Sequence, residues 1–180
     1  MSSPQSLSEQ ERRAVADWAA SCAERVLGLF EAESSDDDRP RDAIARARAF
    51  ARGELTAAEE IHRRFVAGRA ARGLTAPAAV ASARSAAQAA GVAHMGAHAL
   101  GAAAYAASAA GLAAPDDPDA VAGEVAWQVA AMTDDVRAAL RRLPHVGEDS
   151  AGPLGPGLLA TGALAEIIAS IQDELDAERG

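Results

Sequence analysis

Apolar residues in this chain recur at the three-and-four spacing that puts them on one side of an α-helix, and no stretch alternates residue by residue as a half-buried strand does. The first stripe is Val15, Trp18, Cys22, Val26 and Leu29. Ser8 followed three residues later by Glu11 has the form of a capping box, so this helix is expected to begin there and to die in the acidic loop Glu33–Asp38. Asp38 is placed to cap a second helix, with Pro40 in its first turn and a stop at Gly53. Thr56 and Glu59 form another capping box for a third helix ending at Gly73, with Glu59–Arg63 and Glu60–Arg64 at ion-pair spacing.

From Pro77 to about Gly111 the chain reads as one long helix of alanine and glycine. A straight helix of that length would reach about 50 Å. A compact domain of this size is only about 40 Å across, so the helix either projects or breaks near Gly91 or Gly96, and the favoured reading is one long central helix with a bend. Gly91, Gly96 and Gly101 each weaken a helix, which close approach of neighbouring backbone would offset. Asp117-Pro118 opens the cleanest stripe, Val121, Val125, Val129, Met132, Val136, Leu140 and Leu143, which is one helix or two with Thr133 as a fresh cap. Residues 144–157 are a Gly/Pro-rich loop, and a last helix presents Leu164, Ile167, Ile168, Ile171 and Leu175. The expectation is an all-α, single-domain bundle of six or seven helices over residues 1–180, with 1–7 and 179–180 disordered.

Composition sharpens this picture. The 180 residues include 50 alanines, and aromatics are only 3%, so helices must pack closely over small side chains rather than around a bulky core. A net charge of −9, with 17 arginines and no lysine, argues against a nucleic-acid-binding surface. A lone cysteine cannot form an internal disulfide, and the polar N-terminus has no leader-like apolar run, so a cytoplasmic location is expected. Ser85–Pro115 carries no charge, but its alanines gain little from lipid and its histidines are costly there, which favours a buried core helix over a membrane span.

The sharpest chemical candidate is His94 with His98, four apart and therefore on one face if the helix is continuous. Glu59 and His62 could complete a mixed nitrogen–oxygen metal site, the basis of an alternative reading as a metal-binding helical enzyme or sensor. Neither a carboxylate-bridged two-metal set nor a zinc-peptidase motif is complete, so core histidines bonded to backbone carbonyls or to Tyr105 are favoured, with no cofactor and no metal. Cys22 on a buried stripe reads as inert, Ser85 and Ser108 lack triad partners, and Gly155-Pro156-Gly157 lacks the donors of a phosphate loop. Trp127 lies off its helix's stripe, packed against a second neighbour or exposed at an interface. Arg41, Arg48 and Arg52 share one helix side, either solvated or anion-binding. Asp36, Asp37 and Asp38, then Asp116, Asp117 and Asp119, then Glu148 and Asp149 all fall in loops, where they cap helices or, if loops converge, make a negative patch that attracts a basic partner.

Several patches taken in order carry a resemblance. They are Asp38-Arg39-Pro40-Arg41-Asp42-Ala43-Ile44 continuing to Ala51-Arg52-Gly53-Glu54, then Ala93-His94-Met95-Gly96-Ala97-His98-Ala99 leading to Ala104-Tyr105-Ala106, then Trp127-Gln128 and Gly155-Pro156-Gly157-Leu158-Leu159. From about Leu7 to the last helix the chain resembles the immunity-five-like family of bacterial immunity proteins, frequent in actinobacteria. The resemblance implies a helical protein of toxin–immunity systems that binds and neutralises a cognate toxin, and it carries over no catalytic residue. The expected function is therefore non-enzymatic occlusion of a toxin, with Asp36, Asp37, Asp116, Asp117 and Trp127 as contact candidates. A homo-oligomeric scaffold joined through the alanine–glycine face is a further alternative.

Overall fold

The computed structural model describes residues 3–61 and 66–177. Among them are nine α-helices, one 3-10 turn and no strand: α1 (Glu9–Glu31), α2 (Arg39–Ala51), α3 (Ala57–Ile61), α4 (Val66–Ala70), α5 (Pro77–Gly91), α6 (His98–Ala113), α7 (Ala120–Ala130), α8 (Asp134–Leu140), the 3-10 turn Leu158–Ala160, and α9 (Gly162–Ala177). The all-α expectation holds, with more helices than the six or seven expected. The third stretch is described as α3 and α4, the stripe after Pro118 divides at Thr133, and the long central helix is two helices.

The break lies at residues 92–97 and has a cause far away in the chain. The amides of His94 and Met95 both turn back to the Gly91 carbonyl, at 3.0 and 3.1 Å. The next two donors leave the helix altogether: Gly96 N–H donates to Ser6 O at 3.2 Å and Ala97 N–H to Gln5 O at 3.1 Å. Leu7 packs so tightly on Gly96 that a Cβ there would lie 2.4 Å from Leu7 Cδ1. Residues 5–7, expected to be a disordered tail, are thus part of the bend, and Gln5 is fully buried. Residues 1, 2, 179 and 180 of that expectation lie outside the described residues. Beyond the bend α5 and α6 run antiparallel, with Ser85 Oγ donating to Ala102 O at 2.7 Å and His98 Nδ1 2.7 Å from Gln88 Oε1. At Gly91 and Gly101 the close neighbours are side chains rather than the backbone expected, since a Cβ would meet the His98 ring at 2.9 Å or Gln88 Oε1 at 2.5 Å.

The shorter helix α6 is still the centre of the molecule. Ala99 through Ala107 are all buried, and α1, α5, α7 and α9 pack around it. A helix apolar on every side can only be an interior one. The alanine–glycine face proposed for joining copies is consumed inside the chain. α1 supplies Val15, Trp18, Cys22 and Val26 to the core from the stripe read in the sequence, and its capping box forms as expected. Ser82 donates to Val26 O at 2.8 Å and Trp18 Nε1 to Gln128 O at 2.9 Å, locking α1 to α5 and α7. Thr133 caps α8 by accepting from Val136 N–H at 3.3 Å. Asp38 does not cap α2 with its side chain. Its neighbour Asp37 takes the Arg39 amide at 3.1 Å and pairs with the Arg39 guanidinium instead.

Candidate functional site

The chain direction of each helix decides which loops meet. Glu33 at the end of α1 accepts hydrogen bonds from the Thr75 and Ala76 amides, at 2.6 and 3.1 Å, so the α1–α2 loop sits beside the start of α5. α6 returns antiparallel to α5, which brings its C-terminus and the following loop to the same end. The sequence-predicted residues Asp36 and Asp37 therefore share one end of the bundle with Asp116 and Asp117. Asp36, Asp116, Asp117 and Asp119 are exposed there, and Asp37 is half-buried. The hydrogen bonds from Arg39 hold the Asp37 carboxyl below its ordinary range. The third acidic loop is at the opposite end: Asp149 accepts from Gln5 Nε2 at 2.8 Å, beside the bend at 92–97.

The histidine pair does not survive the break in the helix. His94 is exposed in the bend, whereas His98 is the first residue of α6, half-buried and held by Gln88. Both line one open groove with Gly68, Arg69, Arg72 and Gln88, and neither is the fully buried core histidine expected, His94 being exposed and His98 half-buried. Glu59 is occupied in the Thr56 capping box, at 2.7 Å from both the Thr56 amide and hydroxyl, and those bonds hold its carboxyl low. His62 lies outside the described residues, as do Arg63 and Arg64. Among the described residues no group of three His, Cys, Asp or Glu stands close enough to hold a metal ion. Glu60 is buried and pairs with Arg46 of α2.

A cluster that sequence reasoning missed joins α1 to α7. Arg25 donates from Nε and Nη2 to both oxygens of Glu124, at 2.9–3.0 Å, while its guanidinium carbon lies 4.0 Å from the centroid of the Trp127 ring. Glu124 is buried, and among the described residues its ion-pair partner is Arg25. The signal in the sequence was a glutamate one turn before an off-stripe tryptophan, both on the flank of α7 that meets α1. Trp127 is thereby packed and half-buried under a cation. Cys22 lies in this same region, fully buried, and burial pushes its thiol well above the ordinary range, as does the nearby Glu124 charge. That matches its expected inertness. Ser85 spends its hydroxyl on a backbone carbonyl.

The arginines of α2 are individually paired: Arg41 with Glu31, Arg48 with Glu24 and Arg52 with Glu54. This leaves no concentrated cationic face there. Among the described residues no helix is long and apolar enough to cross a membrane.

No curated protein and no solved structure matches the chain. One family model does, over residues 5–135, from the buried Gln5 to the first turn of α8. That span includes the α2 and bend patches and Trp127-Gln128 but stops short of Gly155–Leu159 and α9, where the resemblance had been expected to continue. With well over half its length matched, the chain belongs to the Imm-5 like putative immunity protein family.

Proposed function

We propose that the protein binds and neutralises a cognate bacterial toxin by protein–protein contact and performs no catalysis of its own. The observation that carries this reading is the family match across residues 5–135. The geometry supports it with one end of the bundle that carries two acidic loops, Asp36 and Asp37 in one and Asp116 and Asp117 in the other, all exposed but Asp37, which pairs with Arg39. Such an end attracts a basic surface over distances of about a Debye length and speeds encounter at low salt. Trp127, held rigid by Arg25 and the core, is the aromatic anchor in this scheme, because a rigid ring loses little freedom on contact.

The test is co-expression with the product of the adjacent gene, taken as the toxin. A stoichiometric complex that survives gel filtration in low salt and loosens as salt rises is the expected result. Absence of binding in low salt, with toxicity unrelieved by this protein, would overturn the reading.

A further inference from the structure

The net charge of −9 is not spread over the chain. Residues 1–115 carry thirteen Asp and Glu against thirteen Arg, whereas residues 116–180 carry thirteen against only four. The whole excess therefore falls on the segment that forms α7, α8 and α9. On α1 and α2 most acids are matched by arginines, as in Arg13–Glu9, Arg48–Glu24 and Arg41–Glu31. On α9, Glu166, Asp173 and Glu174 are exposed and make no ion pair among the described residues.

Between α7 and α9 runs an open groove. Its wall on α7 is the double stripe Val121, Val125, Val129 and Ala122, Ala126, Ala130; its opposite side is Ile167 and Ser170 of α9, with Glu166 and Glu174 on the rim, and Arg137 of α8, which donates to Val129 O at 2.7 Å, also lines it. Ala122, Ala126 and Ala130 are exposed although they lie on an apolar helix face. Asp173 continues the acidic rim along α9, and Pro118, from the loop that carries Asp116 and Asp117, closes one end. α7 is about 16 Å long, three turns, which is the length over which a helix offers three apolar anchors at i, i+3 or i+4, and i+7.

We propose that this groove takes a basic amphipathic helix of the partner protein, its apolar side on the α7 valines and alanines and its Lys or Arg residues against Glu166, Asp173 and Glu174. The inference deepens the proposed function, on which it rests for the partner's being the toxin. Charge selects the occupant. A second copy would bring the same acidic rim against itself, and nucleic acid or an anionic lipid surface would be repelled.

The experiment uses the full chain and a fluorescent peptide of roughly 18 residues, leucine at helical spacing and lysine elsewhere, read by anisotropy. The control peptide has the same composition in strict alternation. Expected are saturable binding of the helical peptide, amide NMR shifts confined to α7 and α9, and an affinity loss of at least about tenfold in both Ala126→Arg and the pair Glu166→Lys/Glu174→Lys. Both sets of changes are on exposed helix positions, and retained melting temperature checks that each variant folds. The pair Asp17→Asn/Glu148→Gln, at exposed acidic positions outside the groove, should bind as the wild type does. Equal binding of the alternating peptide, equal loss in Asp17→Asn/Glu148→Gln, or undiminished binding by the two groove variants would overturn the proposal. The same panel is then run against the adjacent gene's product. If the wild type and both groove variants bind that product equally, the groove inference fails while toxin binding stands. If no variant and no wild type binds it but the peptide results hold, toxin binding fails while the groove stands as a site for a basic helix.

Discussion

Replacing Gln5 with alanine should destabilise the protein as severely as a large core truncation. Gln5 is fully buried, and its amide bridges the start of the chain to the 144–157 loop: Nε2 donates to Asp149 Oδ2 at 2.8 Å and to Ala151 O at 2.5 Å, while Oε1 accepts from Leu154 N–H at 2.9 Å. The half-buried Asp149 regains a water partner after truncation, so its bond contributes little to the loss. The Leu154 amide does not, because Leu154 is itself fully buried; an orphaned buried N–H costs about 1–3 kcal/mol, and the lost bond to Ala151 O adds about 1 kcal/mol. The expected change is about 2–4 kcal/mol, or a fall in melting temperature of about 5–15 °C for a chain of this length. Urea titration followed by circular dichroism measures it, with the slope of the transition checking that the compactness of the end states is unchanged. A Gln5→Ala variant within about 0.5 kcal/mol of wild type, the range of an ordinary surface substitution, would refute the claim that this segment closes the bend. Gln5→Glu sharpens the test. It keeps an acceptor for Leu154 but sets a second carboxylate beside Asp149, so that variant should regain stability as pH falls and the new carboxyl takes up a proton.

Other outcomes follow from the same structure. Arg25→Ala strands the buried Glu124 carboxylate and should cost about 1–3 kcal/mol, whereas Arg25→Ala with Glu124→Gln should cost less than Arg25→Ala alone, a non-additivity that a double-mutant cycle measures. Gly96→Ala drives a Cβ into Leu7 and should cost about 1–3 kcal/mol, with partial rescue by Leu7→Ala; equal stability of wild type and Gly96→Ala would contradict the packing described. Hydrogen bonds hold the carboxyls of Glu24 (from Arg48), Glu33 (from the Thr75 amide and hydroxyl), Asp37 (from Arg39) and Asp149 (from Gln5) below their ordinary values. A lowered folded-state value means stability that is whole above the unfolded-state value and is lost as pH falls toward the folded one. Melting temperature should therefore be level near neutrality and decline below the ordinary values of 4.5 for Glu and 3.8 for Asp. Melting scans with and without a chelator should coincide, since His94 is exposed in the bend and Glu59 is engaged by Thr56; a chelator-dependent shift lost in His98→Ala would revive the metal reading.

Several signals that are local in cause form as the sequence suggests, although Asp38, equally local, yields its capping role to Asp37. The Ser8–Glu11 box, the Thr133 cap and the α1 stripe each depend on residues within a turn or two, and each forms. The break at 92–97 was misread as a bend because alanine favours helix on both sides of it, while the partners that capture the Gly96 and Ala97 amides stand some ninety positions earlier. That one error also dissolved the His94–His98 pair, whose shared face existed only in an unbroken helix. Helix directions put the Asp36–Asp37 and Asp116–Asp117 loops toward one end of the bundle and the Glu148–Asp149 loop toward the other, an arrangement that depends on chain direction and not on the loops' own residues. Trp127 was placed between packing and exposure because its main neighbour, Arg25, is on another helix. Glu124 passed unnoticed since a glutamate in a helix usually faces water, and only its arginine makes burial tolerable.

The alanine run from Ala102 to Ala107 on α6, interrupted only by Tyr105, has a kinetic consequence. A methyl group has no alternative rotamer, so this part of the interior loses no side-chain freedom on folding and has no second arrangement to adopt afterwards. The scaffold beneath α7 and α9 is therefore preset in shape. A visitor meets a rigid template rather than a surface that moulds itself, which makes association a matter of orientation and charge instead of a slow rearrangement.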